Sequence, residues 1–418
     1  MRPMKEPDIY TLPNGIRVAH LRTSYSKIVH CGIMFDIGSR DENLKNQGIA
    51  HFWEHMAFKG TKKRTAFHIL NRLEMVGGEL NAFTDKEKIM FYASVRNEHF
   101  ERAAELLSDI AFHTAFPEHQ INRERKVILE EMAMYYDDPD GALQDEFDHL
   151  LFDRHPMGMN ILGTEKSISG FKRKDFLEFI ETHLDTERII FSVAGDLSQA
   201  EVMRMAKKFL EPVRRKKGKK ARKPFKEYKP RAITLTRPVK QARCAIGRPV
   251  YSIMDKRRIP LYFLNNILGG PAMNSRLNLL LREKKGYVYS VGSQYAPLSD
   301  TGIFVVSFGT DPSQMNKAIQ IVHDEMDRMA NERMSPRQLK VAKEQFLGQM
   351  AMAEENHIGF MMMMARNLLD ANSFTSFDEI SESIHAATEK ELQEIAGEVF
   401  NKKMLSCLIM QPAAEQHG

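Results

Sequence analysis

Within this chain of 418 residues one stretch repeats another. Setting Gly78 on Gly292 aligns GELNAFTDKEKIMFYAS with GSQYAPLSDTGIFVVSF, and an amphipathic segment of similar length follows each. In the first copy Phe100, Ala103, Leu106, Leu107 and Ile110 recur at the spacing of one helical face. A strand-then-helix order that occurs twice constrains the chain to two like halves. Its length points the same way, being too great for one ordinary core. Each half mixes strands and helices without strict alternation, so the expected class is α+β rather than a doubly wound sheet. Between the halves lies Arg214 to Lys223, RRKKGKKARK, all of whose charges are positive. The expected division is an N-terminal half over 1–213, a basic linker over 214–231 and a C-terminal half over 232–418.

That basic run accounts for the net charge of +5 and leaves the rest of the chain slightly acidic. Such a block reads as a solvated, mobile linker, and without interleaved aromatics or a binding fold it predicts no nucleic-acid partner. No apolar run approaches the length of a membrane span, and the opening MRPMKEPDIY lacks the hydrophobic core of a signal peptide. A cytoplasmic protein without a membrane partner is expected, although a chain trimmed of its leader would look identical. Cys31, Cys244 and Cys407 are odd in number and far apart, which fits a reducing compartment better than a disulfide framework.

Ile9 to Leu21 alternates around Pro13-Asn14-Gly15 and reads as a β-hairpin. Ile28 to Phe35 reads as a further strand. Gly38-Ser39-Arg40-Asp41-Glu42 then breaks the regularity, and a loop leads through Gly48 into a helix that Lys59-Gly60 ends. A second helix, from about Ala66 to Val76, puts Phe67, Leu70, Leu73 and Glu74 at helical spacing. A longer one, from about Glu118 to Tyr136, stops before Pro139. Its stripe Ile121, Glu124, Ile128, Glu131, Tyr135 sets two carboxylates on an otherwise apolar face. A buried carboxylate needs a partner, which a metal ion with its histidine shell would supply; a solvated acidic edge is the plainer alternative. Met361 to Met364 reads as a packing stripe.

The first of these helices carries AHFWEHMAF, Ala50 to Phe58. His51 and His55 stand four positions apart on one helical face, where two imidazoles can converge on one metal ion. Glu54 precedes the second histidine and is close enough to hold a water at that ion. This is the H-x-x-E-H pattern, the reverse of the commoner H-E-x-x-H. Setting Gly60 on Gly270 places Leu261, Leu264 and Asn265 opposite His51, Glu54 and His55, so the second half keeps the scaffold without the ligands.

With LPNGIRV at Leu12 to Val18, GSRDE at Gly38 to Glu42, GIAHFWEHMAFKGT at Gly48 to Thr61, GGELNAFT at Gly77 to Thr84, ILEEM at Ile128 to Met132 and REKKGYVYS at Arg282 to Ser290, the chain resembles the pitrilysin family of zinc metallopeptidases. That family includes insulysin and the mitochondrial processing peptidase, and the length matches its shorter bacterial members. The resemblance implies His51, His55 and Glu131 as ligands of one zinc ion per chain and Glu54 as general base. Glu130, adjacent to Glu131, would point about 100° away on the helix. By the same resemblance Glu124 orients the ligand shell, Asn81 and Ala82 belong to an edge strand that holds substrate, and Arg282 and Tyr289 join the reaction centre from the second half. Read from their residues alone, Arg282 is a cap for a helix end and Tyr289 a strand residue. Tyr287 departs from the family, whose members often have leucine there.

The activity implied is a zinc-dependent endopeptidase for peptides or unfolded segments, bound extended beside the Asn81 strand inside an enclosed chamber. With both site elements in one chain, a homodimer is the implied assembly. The competing reading is a structural or partner subunit of the same fold; such subunits commonly lose the ligands that this chain has.

Overall fold

The computed structural model describes residues 6–219 and 221–412. Residues 1–5 of the opening segment, Lys220 of the basic run and the last six residues of the C-terminal half lie outside the described residues. The fold is α+β and contains two compact units, Met1–Ala133 with Met159–Lys223 and Met352–Thr375, and Met134–Gly158 with Pro224–Ala351 and Ser376–Gly418.

In the first unit β1 (Asp8–Thr11), β2 (Arg17–Arg22), β3 (Ile28–Phe35), β4 (Glu79–Thr84), β5 (Ile89–Arg96) and β6 (Ile189–Gly195) form one sheet in the order β1-β2-β6-β3-β5-β4. Only the β2–β6 pair is parallel. The hairpin read around Pro13-Asn14-Gly15 is the β1–β2 pair, and Gly15 takes a φ of +95° at its turn. Alternation sends the two sets of strand side chains to opposite faces. Val29, Cys31, Ile33 and Phe35 of β3 join Phe91 and Phe191 in a core with the helices Ile49–Ala57, Phe100–Phe112 and Glu118–Asp137. The other face, with Ala19, Met34, Met90 and Ile190, is covered by Phe360, Met361, Met364 and Leu368 of the helix His357–Ala371. The methionine run therefore packs as its pattern predicts.

The second unit repeats this plan. Strands β7 (Ala232–Thr236), β8 (Ala242–Val250), β9 (Val288–Pro297), β10 (Gly302–Thr310) and β11 (Ser406–Gln411) are ordered β7-β11-β8-β10-β9. Again the one parallel pair, β7–β11, stands where β2–β6 stands in the first sheet. One face packs Cys244, Ile246, Phe304 and Val306 against helices that include Arg258–Gly269 and Met315–Asn331. Ala245, Val305, Leu408 and Met410 on the other face meet Leu143, Phe147 and Leu151 of the helix Pro139–Phe152. That helix starts on an Asp138 cap with proline in its first turn, so Pro139 both ends the preceding helix and begins this one. The two helices over the outer faces are exchanged: Pro139–Phe152 lies inside the sequence of the first half, and His357–Ala371 inside that of the second. The compact units thus differ from the continuous spans 1–213 and 232–418.

Two local features of the first unit refine what spacing and charge alone indicate. In the helix Ala66–Glu74 the buried positions are Ile69 and Leu73, whereas Phe67 and Leu70 are exposed. The basic run is mostly exposed, as a solvated segment would be, but several of its described charges are paired. Arg215 and Lys217 pair with Glu187 at 2.8 and 2.9 Å, and Lys216 with Glu181 at 2.7 Å. Arg222 is mostly buried and reaches Asp36 and Asp41, both at 2.8 Å. Asp36 also receives the buried ammonium of Lys88 at 2.8 Å, which bonds Asp370 at 2.5 Å. Part of the run's charge is thus paired with the first unit's own carboxylates. All three cysteines are free, and the Cys244 and Cys407 sulfurs, distant in sequence, lie 3.9 Å apart on β8 and β11. Among the described residues no helix is long and apolar enough to cross a membrane.

Candidate metal centre

Two helices of the first unit build the site. Ile49–Ala57 begins at Gly48, whose φ of +90° favours glycine; a Cβ there would come within 2.7 Å of the Leu162 carbonyl oxygen. Glu42 accepts the backbone N–H groups of Gly48 and Ala50 at 2.7 and 2.8 Å, closing donors that a helix start leaves open. This start fixes which face the histidines share. His51 is buried and His55 half-buried, with ring centroids 4.7 Å apart.

The second helix, Glu118–Asp137, anchors itself through buried Ile121 and Ile128, and these put Glu124 and Glu131 on the same side. Glu131 reaches His55 Nε2 at 3.4 Å and His51 Nε2 at 3.8 Å. One ligand atom from each of the three residues lies within 4.8 Å of the others. Two imidazole nitrogens and a carboxylate suit zinc, whose tetrahedral ligands at about 2.1 Å from the ion lie about 3.4 Å from one another. The donor set therefore fits the metal. Glu130 is exposed, as its position on the helix requires.

Glu124 is almost wholly buried and bridges two groups, meeting His55 Nδ1 at 3.3 Å and Lys59 Nζ at 2.9 Å. Donation from Nδ1–H to Glu124 leaves Nε2 of His55 as the nitrogen that faces Glu131 and would give its lone pair to a metal. His51 has no such brace, since its Nδ1 is buried without a hydrogen-bond partner. In the sequence Lys59 reads only as part of the helix stop Lys59-Gly60 and of the GIAHFWEHMAFKGT stretch. Its signal was present, four residues after His55 and so on the same side of the helix, but its role depends on Glu124 standing opposite.

Charge in the metal-free site is unevenly shared. Burial, with the neighbouring His55, holds His51 down at about 4. Burial also pulls on His55, but the carboxylates of Glu124 and Glu131 outweigh it and push that imidazole up to about 9. Hydrogen bonding to His55 keeps Glu131 below the usual carboxylate range. Burial raises Glu54, so its carboxylate is a stronger base than one in water.

Asn81 and Ala82 lie in β4, the edge strand of the first sheet, where Asn81 is exposed and its Oδ1 accepts the N–H of Ala82 at 2.8 Å. Arg282 and Tyr289 belong to the second unit. Arg282 lies in a helical turn over Asn278–Lys284, with its guanidinium 5.9 Å from the ring of Tyr289, which is 86% exposed on β9. Leu261, Leu264 and Asn265, the counterparts of His51, Glu54 and His55, are all buried.

Residues 17–165 match the family model described as insulinase, peptidase family M16, and residues 170–346 match the peptidase M16 inactive domain. The chain is 30% identical over 400 residues to an uncharacterized zinc protease of Bacillus subtilis, with 96% of this chain and 97% of that one covered. It is 31% identical over 407 residues to another from Rickettsia bellii, covering 97% and 98%. Among solved structures, a protease from Helicobacter pylori has a similar fold with a TM-score of 0.89 at 22% identity, over 98% of this chain and 100% of that one.

Proposed function

The chain belongs to the insulinase family of peptidases, M16, and on that premise we propose that it is a zinc-dependent endopeptidase acting on peptides or unfolded segments. The observation that carries the reading is the His51, His55 and Glu131 group, its ligand atoms within 4.8 Å of one another, with Glu54 on the same helix. His51, His55 and Glu131 hold one zinc ion per chain. When bound, zinc supplies Lewis acidity toward the scissile carbonyl and toward water. Glu54, its basicity raised by burial, takes the proton that attacking water gives up and passes it to the leaving amine. Glu124 holds the Nδ1–H of His55 and so keeps the imidazole in one orientation.

Substrate lies extended along the exposed edge of β4 near Asn81 and Ala82, gaining main-chain hydrogen bonds whatever its sequence. Arg282 and Tyr289 steady the developing oxyanion. A homodimer enclosing a chamber completes the proposal, in a cytoplasmic setting, and a sizing column showing only monomer would remove that part.

The test is hydrolysis of a mixed set of unstructured peptides by the zinc-loaded protein beside Glu54→Gln. Cleavage by the parent alone, with equal zinc in both proteins, supports the reading. If both bind zinc and neither cleaves, a non-catalytic partner subunit of this family takes its place.

A further inference from the structure

Only one of the two histidines at the metal centre is braced, and the brace ends in a lysine. Glu124 has one partner on each oxygen: His55 Nδ1 at 3.3 Å on Oε2 and Lys59 Nζ at 2.9 Å on Oε1. Its side chain is 6% exposed, so the anion has lost most of its water and depends on these two groups. Once His55 gives its Nε2 lone pair to a metal, its ring is neutral, and Lys59 becomes the full positive charge in direct contact with Glu124.

We propose that Lys59 is a positioning residue of the metal centre, holding Glu124 aimed at His55 so that Nε2 presents its lone pair to the ion. The proposal rests on the metal-centre reading above. Three observations favour it over a salt bridge that merely fills space. First, Lys59 is held by its own backbone: its N–H bonds the Met56 carbonyl at 3.0 Å, and Gly60 turns the chain away with a φ of +145°. It therefore sits at the carboxyl end of the histidine helix, where a cation is favoured. Second, among the described residues His51 Nδ1 has no hydrogen-bond partner, so the Nδ1 support that the structure shows is that of His55, through Glu124 and Lys59. Third, setting Gly60 on Gly270 puts Gly269 opposite Lys59, so the half that lacks both histidines lacks this lysine too.

Zinc affinity, measured by competition with a chromophoric chelator at fixed pH, tests this without relying on peptidase activity. Lys59→Met is expected to weaken zinc binding about 10- to 100-fold, the range found when partners of metal ligands are removed. Lys59→Arg, which keeps the charge, should recover most of that loss. In a Glu124→Gln background, Lys59→Met should add little, because its effect passes through Glu124. Melting curves of the zinc-free variants separate lost affinity from lost folding. Lys59→Met binding zinc as tightly as the parent, or two losses that multiply in the double variant, would overturn the proposal. A parent that binds no zinc would instead bring down the metal-centre reading itself, and this inference with it.

Discussion

Loading the centre with zinc at neutral pH should expel about one proton, and that proton should come from His55. In the metal-free site Glu124 and Glu131 outweigh burial and push His55 up to about 9, whereas burial and His55 hold His51 at about 4. At pH 7 His51 is thus already neutral and His55 is charged. Zinc needs the Nε2 lone pair, so it competes with the proton there. Each pH unit below about 9 costs about 1.4 kcal/mol; at pH 7 the deficit is about 2.7 kcal/mol, roughly a hundredfold in apparent affinity. Titration calorimetry at pH 7 in buffers of different ionisation enthalpy counts the protons released. Chelator-buffered titrations from pH 6 to 9 should show affinity rising about tenfold per unit, then levelling. Affinity that stays flat between pH 7 and 9 would refute the argument, and release of two protons would show His51 charged as well. The same raised value makes a stability prediction for the metal-free protein. The contribution of His55 is fully present below its unfolded value and is lost as pH rises through about 9.

Removing the buried ammonium of Lys88 by Lys88→Met takes its cation from Asp370 and one of three from Asp36, both nearly inaccessible, and should destabilise the protein by about 3–5 kcal/mol in denaturant melts. A loss under about 1 kcal/mol would mean that the remaining cations around the pair, Arg222 and Arg188 among them, suffice. Gly48→Ala sets a side chain at a φ of +90° against the Leu162 carbonyl. About 1–2 kcal/mol of backbone strain is expected together with weaker zinc binding, because the histidine helix starts there; unchanged melting and affinity would contradict that. Iodoacetamide on the native protein at pH 8, read by peptide mass mapping, should label Cys407 first. A hydrogen bond from the Cys244 sulfur beside it pulls its pKa below that of a free thiol, whereas burial pushes Cys31 up to about 12 and Cys244 well above a free thiol. Early labelling of Cys31 would count against its burial.

What the sequence disclosed was mostly local. Pro13-Asn14-Gly15 closes a tight turn, the run Ile28–Phe35 coincides with β3, and four-residue spacing aligns His51 with His55. The carboxylate stripe of Glu124 and Glu131 was also visible, because Ile121 and Ile128 mark the face that must be buried. What stayed hidden depended on distant partners. The helix Ala66–Glu74 carries two overlapping apolar sets, and spacing cannot choose between Phe67 with Leu70 and Ile69 with Leu73 until the sheet beneath is known. The charges of Arg214 to Lys223 look solvated until Asp36, Asp41, Glu181 and Glu187 are brought beside them. Pro139 is equally a stop for one helix and a first turn for the next, and nothing near it reveals which sheet that next helix will cover.

The exchanged helices give this duplication an inheritance rule. A gene that lost its second half would encode a first sheet whose Met34, Met90 and Ile190 face has nothing from Met361, Met364 or Leu368 to cover it. Loss of the first half would strip Leu143 and Phe147 from Val305 and Leu408 in the same way. The two copies are therefore free to diverge at their surfaces and sites, as Leu261 and Asn265 have from His51 and His55, but neither can be discarded. A candidate ligand group in one half and none at the matching positions of the other can persist in a single reading frame because each copy supplies the other with a wall.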